Sequence, residues 1–324
     1  MKVCIVGAGA IGGFIGTRLA CDGHAVSAVA RGATAAALRE RGWRLEMGGE
    51  LLTAPARVVE DPRELGPQDL VIVAVKAPAL TEIAPRVALL LARDTVVLTA
   101  MNGVPWWFAD GLQLAEEPTR KVVDPTGAIG ANIPASAVVG CVVHASTALV
   151  GPGHARRNMS DVLIFGEPAG KPSERVGTVV KAFESVGLAS RASGNIRHDI
   201  WYKLWGNMTM NPVSAITGAT ADRIIDDPDV RSLLMAVMAE AATIGGLIGC
   251  PIDEPGENRI DVTRKLGAFR TSMLQDVDAG RPIELDALLG APRAIAGALG
   301  VPTPSMNVLY GLTRVFAQTR GLLP

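Results

Sequence analysis

The sequence predicts an α/β protein in which a doubly wound sheet precedes an all-helical C-terminal domain. Three observations predict this. A β-branched run near residue 1 closes on a glycine-rich turn. Apolar runs then alternate with helical patterns to about residue 194. From 199 onward only helical periodicity remains, broken by Pro and Gly. The change of pattern sets two domains, 1–194 and 195–324. A chain of 324 residues suits two domains, because single cores stop growing near ~250–300 residues.

Composition narrows the class. Hydrophobic residues make up 48% and aromatic residues 4%, with 36 Gly and 21 Pro, which fits a globular α/β enzyme rather than a fibrous or disordered chain. The net charge of −1 leaves no basic footprint, so neither nucleic acid nor a membrane surface is an expected partner. Cys4, Cys21, Cys141 and Cys250 show no C-x-x-C spacing and suit reduced thiols of a cytoplasmic protein. The four histidines are dispersed, so no metal site is expected. Residues 3–17, "VCIVGAGAIGGFIGT", are uncharged, but their glycines weaken a helix and the run falls short of the ~20 residues a bilayer needs.

The first strand is "KVCIV". "GAGAIG" follows with G-x-G-x-x-G at Gly7, Gly9 and Gly12, and "GFIGTRLACDG" continues as a helix that ends near Gly23. In such a turn the first glycine permits the bend and the second lets a pyrophosphate approach. The third lets the helix pack on the strand, and the free N–H groups at the helix start face phosphate. The context, β-α-β with "HAVSAV" as second strand, points to a Rossmann-type dinucleotide site. An NAD site usually carries Asp or Glu after the second strand. Here Ala28, Val29, Ala30 and Arg31 stand there. The Arg31 fork suits a 2′-phosphate, so the expected cofactor is NADP(H); the competing reading of Arg31 is a plain surface residue.

"DLVIVAVKAP" (69–78) is a strand buried on both faces, "TEIAPRVALLLA" a helix, and "DTVVLTAMNGV" (94–104) another strand. Lys76 and Asn102 end these two strands, where open α/β sheets bind ligands; Asn102 also reads as a turn former beside Gly103. "SAVVGCVVHASTALV" and "VLIFGEP" read as strands, and "PSERVGTVVKAFESVG" as a helix.

In "WYKLWGNMTMNP" (201–212), Trp201, Leu204, Trp205 and Met208 are built for burial, yet Lys203, Asn207 and Asn211 recur every fourth residue. Each such step overshoots a turn by roughly 40°, so the three form one polar stripe. It is either a solvated face or the polar floor of a catalytic site, because buried polar groups need partners. Further on, "RTSMLQDVDAGRPIELDALLG" (270–290) reads as helix, turn, helix. Ser272 lies on the first and Glu284 early in the second, where a carboxylate also suits the helix dipole.

In chain order, GAGAIG with Arg31, "VKA", "MNGV", "KLWGNMTMN" and "TSMLQD…IELD" resemble the ketopantoate reductase (2-dehydropantoate 2-reductase) family, from residue 1 to about 290. The resemblance implies NADPH-dependent reduction of 2-dehydropantoate to (R)-pantoate, on the route to pantothenate. It implies Lys203 as the catalytic lysine and Glu284 as the active-site glutamate. Asn102, Asn207, Asn211 and Ser272 match substrate-binding positions. Lys76 and Arg31 match cofactor contacts, joining Gly7, Gly9, Ala10, Ile11, Gly12 and Asn102. The partner it implies is a small 2-oxo acid, with a homodimer as the candidate assembly. Pro105, Trp106 and Trp107 depart from the small residues usual after Asn-Gly; they read as core or interface anchors, or as a reshaped pocket. The alternative function is an NAD(P)-dependent D-2-hydroxyacid dehydrogenase acting on another 2-oxo acid.

Overall fold

The computed structural model describes residues 1–112, 114, 118–158 and 162–323. They form two compact units. The first comprises Met1–Met101 with Thr126–Ile196, the second Asn102–Pro125 with Arg197–Pro324. The sequence division at 194/195 assigns 102–125 to the first domain, whereas the segment belongs to the second unit. Its apolar side chains explain why. Trp106, Trp107 and Phe108 are buried. Phe108 stacks on Trp201 at 6.0 Å, and Arg197 donates to the Phe108 carbonyl at 2.8 Å.

The first unit opens with β1 (Lys2–Val6), α1 (Ala10–Cys21), β2 (Ala25–Val29), α2 (Gly32–Arg41), β3 (Trp43–Met47), β4 (Glu50–Ala54) and β5 (Arg57–Val59). Then come β6 (Leu70–Val73), α3 (Leu80–Ala88) and β7 (Val96–Thr99). The chain visits the second unit, forming the short α4 (Arg120–Val123), and re-enters with α5 (Ala128–Asn132). It continues through β8 (Val138–His144), β9 (Thr147–Gly151), β10 (His154–Arg157), β11 (Val162–Gly166), α6 (Glu174–Ser185) and β12 (Ser190–Ala192).

The large sheet has the order β12-β11-β8-β7-β6-β1-β2-β5. From β5 to β8 all neighbours are parallel, and only β8 and β11 pair antiparallel. Those six parallel strands follow the doubly wound order 3-2-1-4-5-6, in which strand order reverses between β1 and β6. Ile5 sits between Ala28 and Ile72, and all four β6 side chains are buried, as a strand covered on both faces requires.

A second sheet, β4-β3-β10-β9, is absent from the expectations above. It packs against α1, where glycines make room. A Cβ on Gly16 would lie 2.9 Å from the Trp43 ring, and one on Gly13 3.2 Å from Ala155. Its β3–β4 hairpin turns on Gly48 and Gly49, with φ of 62° and 84°, as a tight two-residue connection demands.

The second unit holds α7 (Ile196–Thr217) from its second residue on, α8 (Ala221–Asp226), α9 (Pro228–Leu247), α10 (Gly256–Arg264), α11 (Ser272–Asp278), a π-helical turn (Asp286–Gly290), α12 (Ala291–Leu299) and α13 (Pro304–Thr319). Among its described residues there is no strand. The indoles of α7 fasten it to α9: Trp201 donates to the Ala241 carbonyl at 3.0 Å and Trp205 to that of Met238 at 2.9 Å. By length and composition α9 could cross a membrane; within this unit its apolar side receives both indoles.

Candidate active site

The glycine turn sits at the strand-order reversal. Gly7 follows β1 at φ +96°, and a Cβ there would come within 2.7 Å of Val75 and 2.9 Å of the Ala74 carbonyl, both in the loop after β6. A Cβ on Gly12 would lie 2.1 Å from the Gly7 carbonyl oxygen, so only glycine lets α1 pack here. Around Gly9 a Cβ would meet nothing within 4 Å. Two glycines are thus demanded by the fold itself. Gly9 instead borders open space at the start of α1, where Ala10 and Ile11 open the helix and no acidic residue occupies the first turn. A helix N-terminus left open and free of carboxylates suits phosphate.

Lys76 lies three residues beyond β6, later than a strand-ending position, in that same loop. Arg31 is the residue before α2, its side chain 62% exposed and paired with Glu82 at 3.1 Å. An exposed pair of this kind contributes little and leaves the guanidinium free to exchange partners.

In the second unit the α7 stripe is no solvated face. Lys203 and Asn207 are half-buried and Asn211 is 6% exposed. The Lys203 ammonium donates to Asn102 Oδ1 at 2.7 Å, a charge-assisted bond of the stronger kind. Asn102 stands three residues past β7 and is held from behind. Gly103 adopts φ +82°, with Ala287 so close that a Cβ would lie 2.6–2.8 Å from it. Next to it, the Val104 N–H donates to the Ala287 carbonyl at 2.8 Å.

Ala287 belongs to the π-helical turn that begins two residues after Glu284. Glu284 is 7% exposed, and its carbonyl accepts from the Leu288 N–H at 3.1 Å. The segment 102–104 therefore ties α7 to the chain that carries Glu284. Single turns of π-helix often mark functional positions.

Ser272 is the exposed first residue of α11. Its neighbour Thr271 caps that helix, accepting from the Leu274 N–H at 3.2 Å. Thr271 also hydrogen-bonds Ser214 of α7, whose hydroxyl donates to the Asn211 carbonyl at 3.0 Å. Ser214 and Thr271, unremarked in the sequence, thus fix Ser272 near the Asn211 end of the stripe. Trp106 and Trp107 are 2% and 0% exposed, so they are core residues of this unit. Among the described residues, no group of three His, Cys, Asp or Glu is arranged to hold a metal.

A doubly wound sheet that opens a glycine turn at its switch point, together with a fixed amine among amides, defines a pyridine-nucleotide-dependent oxidoreductase. Comparisons narrow the class. Residues 3–170 match the model of ketopantoate reductase PanE/ApbA, and residues 195–317 that of its C-terminal domain. A 2-dehydropantoate 2-reductase from Mesorhizobium japonicum is 40% identical over 99% of both chains. A solved structure from Ralstonia solanacearum, described as a candidate ketopantoate reductase, is 52% identical over 99% of both chains, with a TM-score of 0.93. D-mandelate dehydrogenase, solved with NADH and anilino(oxo)acetate, shares the fold at 22% identity, covering 99% of this chain and 100% of its own, with a TM-score of 0.85. This chain belongs to the ketopantoate reductase family.

Proposed function

We propose that the chain reduces 2-dehydropantoate to (R)-pantoate with NADPH. The observation that carries the reading is the bond between Lys203 and Asn102, which aims a half-buried ammonium within a row of amides.

The open space at Gly9 and the acid-free start of α1 fit a dinucleotide pyrophosphate, with the first-turn N–H groups of Ala10, Ile11 and Gly12 as donors. Arg31 would take the 2′-phosphate by releasing its exposed pair with Glu82, and Lys76 adds positive charge in the loop after β6. The bound nucleotide supplies the hydride. Lys203 then meets the negative charge that grows on the ketone oxygen and donates the proton that turns it into a hydroxyl. Glu284, almost fully buried, would favour the charged form of an amine beside it. Asn102, Asn207 and Asn211 donate to carbonyl and hydroxyl oxygens, and Ser272 to the substrate carboxylate.

The test is a spectrophotometric screen of 2-oxo acids, 2-dehydropantoate and benzoylformate included, with NADPH and NADH in parallel. We expect fastest turnover with 2-dehydropantoate and NADPH. In Lys203→Ala we expect kcat about 10²–10⁴-fold lower with NADPH affinity unchanged. Near-normal turnover in that variant removes Lys203 from catalysis. Faster reduction of benzoylformate favours the D-2-hydroxyacid dehydrogenase alternative, and equal use of NADH removes Arg31 from phosphate binding.

A further inference from the structure

Resting on the reductase reading, we infer that Tyr310 of α13 and Asp286 are positioning residues for the reaction. Their hydrogen bond sets the π-helical turn that follows Glu284 and that backs Asn102 through Ala287. The inference begins at the second carboxylate of "IELD" (283–286), which the site described above leaves without a role. Asp286 opens the turn, and its carbonyl accepts from the Ala291 N–H five residues on. Pro292, which has no N–H, cannot donate the α-helical bond to Leu288. Gly290 makes room for the carboxylate: a Cβ there would lie 2.9 Å from Asp286 Oδ1 and 3.0 Å from the Val122 side chain of α4. The hydroxyl of half-buried Tyr310 donates to the same Oδ1 at 2.8 Å. Two guanidinium groups lie over its ring, Arg293 at 4.2 Å from the centre and Arg314 at 5.5 Å. Arg293 is itself held by Asn307 of α13, to which its Nε donates at 2.6 Å. Burial, then the bond to Asp286, pushes the phenol pKa up, so the hydroxyl stays a donor throughout the neutral range.

The helix α13 is anchored without this bond. Glu240 of α9 caps its start, accepting from the Ser305 and Met306 N–H groups at 2.8 and 2.9 Å, and Met306, Leu309, Thr313 and Ala317 are buried. The helix is therefore a fixed post, and the chain around Glu284 is what it steadies. One residue before Glu284, the Ile283 N–H donates at 3.0 Å to the carbonyl of Leu322, beyond the end of α13. Two residues after Glu284, Asp286 takes the Tyr310 hydroxyl. One C-terminal segment thus holds Glu284 from both sides. The next residue, Ala287, packs against Gly103 and accepts from the Val104 N–H, so the same post bears on Asn102 and, through it, on the Lys203 ammonium. Reacting groups misplaced by about 1 Å can lose roughly 10²-fold in rate, so a bond remote from the chemistry is readable in turnover.

The test measures kcat and KM with the 2-oxo acid that the wild-type chain reduces fastest, NADPH affinity by fluorescence titration, and the melt by circular dichroism. We expect Tyr310→Phe, which loses one oxygen, to lower kcat about 10- to 100-fold. KM and NADPH affinity should hold near their wild-type values. Asp286→Ala should match that loss, and the double variant should fall no further, because both changes remove one interaction. Asp286→Asn keeps an oxygen that accepts from the hydroxyl and should recover most of kcat. A role in stability alone would lower the melt and leave the kcat of the folded protein unchanged. That result, or an Asp286→Asn variant as slow as Asp286→Ala, would overturn the assignment. A wild-type chain that reduces no 2-oxo acid removes the reductase reading and this inference with it. An active wild type with unchanged kcat in Tyr310→Phe removes the inference alone.

Discussion

Two alanine substitutions in one glycine turn should have opposite consequences. At Gly9 the backbone has φ −80° and ψ −156°, open to any residue, and the added methyl meets nothing within 4 Å. Gly→Ala at a compatible position gains about 0.4–1 kcal/mol by restricting the unfolded chain, so Gly9→Ala should unfold at or slightly above the wild-type temperature. The methyl would nonetheless fill the space that a pyrophosphate needs, and NADPH affinity should drop at least ~10-fold, the equivalent of about 1.4 kcal/mol.

At Gly12 the same methyl lands 2.1 Å from the Gly7 carbonyl oxygen and 2.9 Å from Ile5. Neither the backbone oxygen nor a fully buried strand residue can retreat, so Gly12→Ala should cost about 3 kcal/mol, the upper end of core overpacking. Circular-dichroism melts and fluorescence titration with NADPH measure both quantities, with Lys203→Ala as the control that binds nucleotide normally. Unchanged affinity in Gly9→Ala, or a wild-type melt for Gly12→Ala, would refute the division of labour drawn from these distances.

Gly103→Ala combines a left-handed φ with an approach to Ala287 under 3 Å; we expect a loss of about 2–3 kcal/mol by denaturant titration and a fall in kcat through Asn102. In the first unit, burial pushes the Glu167 carboxyl up, but hydrogen bonds from Arg175 and Ser173 and the charge of Arg175 outweigh it and hold the pKa below the ordinary value. The unfolded chain then binds the proton more readily, so this group's stabilisation is present above the usual carboxylate range and fades as pH falls through the folded value. Glu167→Gln should be less stable than wild type at neutral pH, and the gap should narrow on acidification. A gap that stays constant in denaturant titrations down the pH scale would contradict that cause.

The parts of the fold that were legible are those where one local rule decides the outcome. β1, α1 and β2 follow from a β-branched run and the glycine spacing, and β6 from an uninterrupted apolar run. The helix α6 shows its N-cap openly, since Ser173 accepts from the Val176 N–H. The second sheet was missed although its hairpin displays Gly48-Gly49, a recognised turn pair. Its partner strands lie about a hundred residues apart, with Leu45 opposite Ala155, and no local pattern announces a pairing at that separation. The placement of 102–125 was illegible for the same reason. Its apolar residues read equally well as part of either core, and residues far along the chain, Arg197, Trp201 and Ala287 among them, decide between them.

The polar stripe shows how spacing and tertiary structure divide the information about a site. Four-residue spacing puts Lys203, Asn207 and Asn211 on one line of α7 whatever the rest of the protein does, so the row was visible early. That the row is partly withdrawn from water depends on distant segments: Asn102 accepts from Lys203, and the contact of Thr271 with Ser214 lies at the far end. Gly206, in the same stretch, carried no legible meaning, because a lone glycine in a helical pattern signals only a weak position. What a larger residue there would strike is the side chain of Arg259, fifty-three residues onward, for which helical periodicity offers no cue. A helix can therefore declare which groups it lines up, while the partners and clearances that hold those groups in place are written elsewhere in the chain.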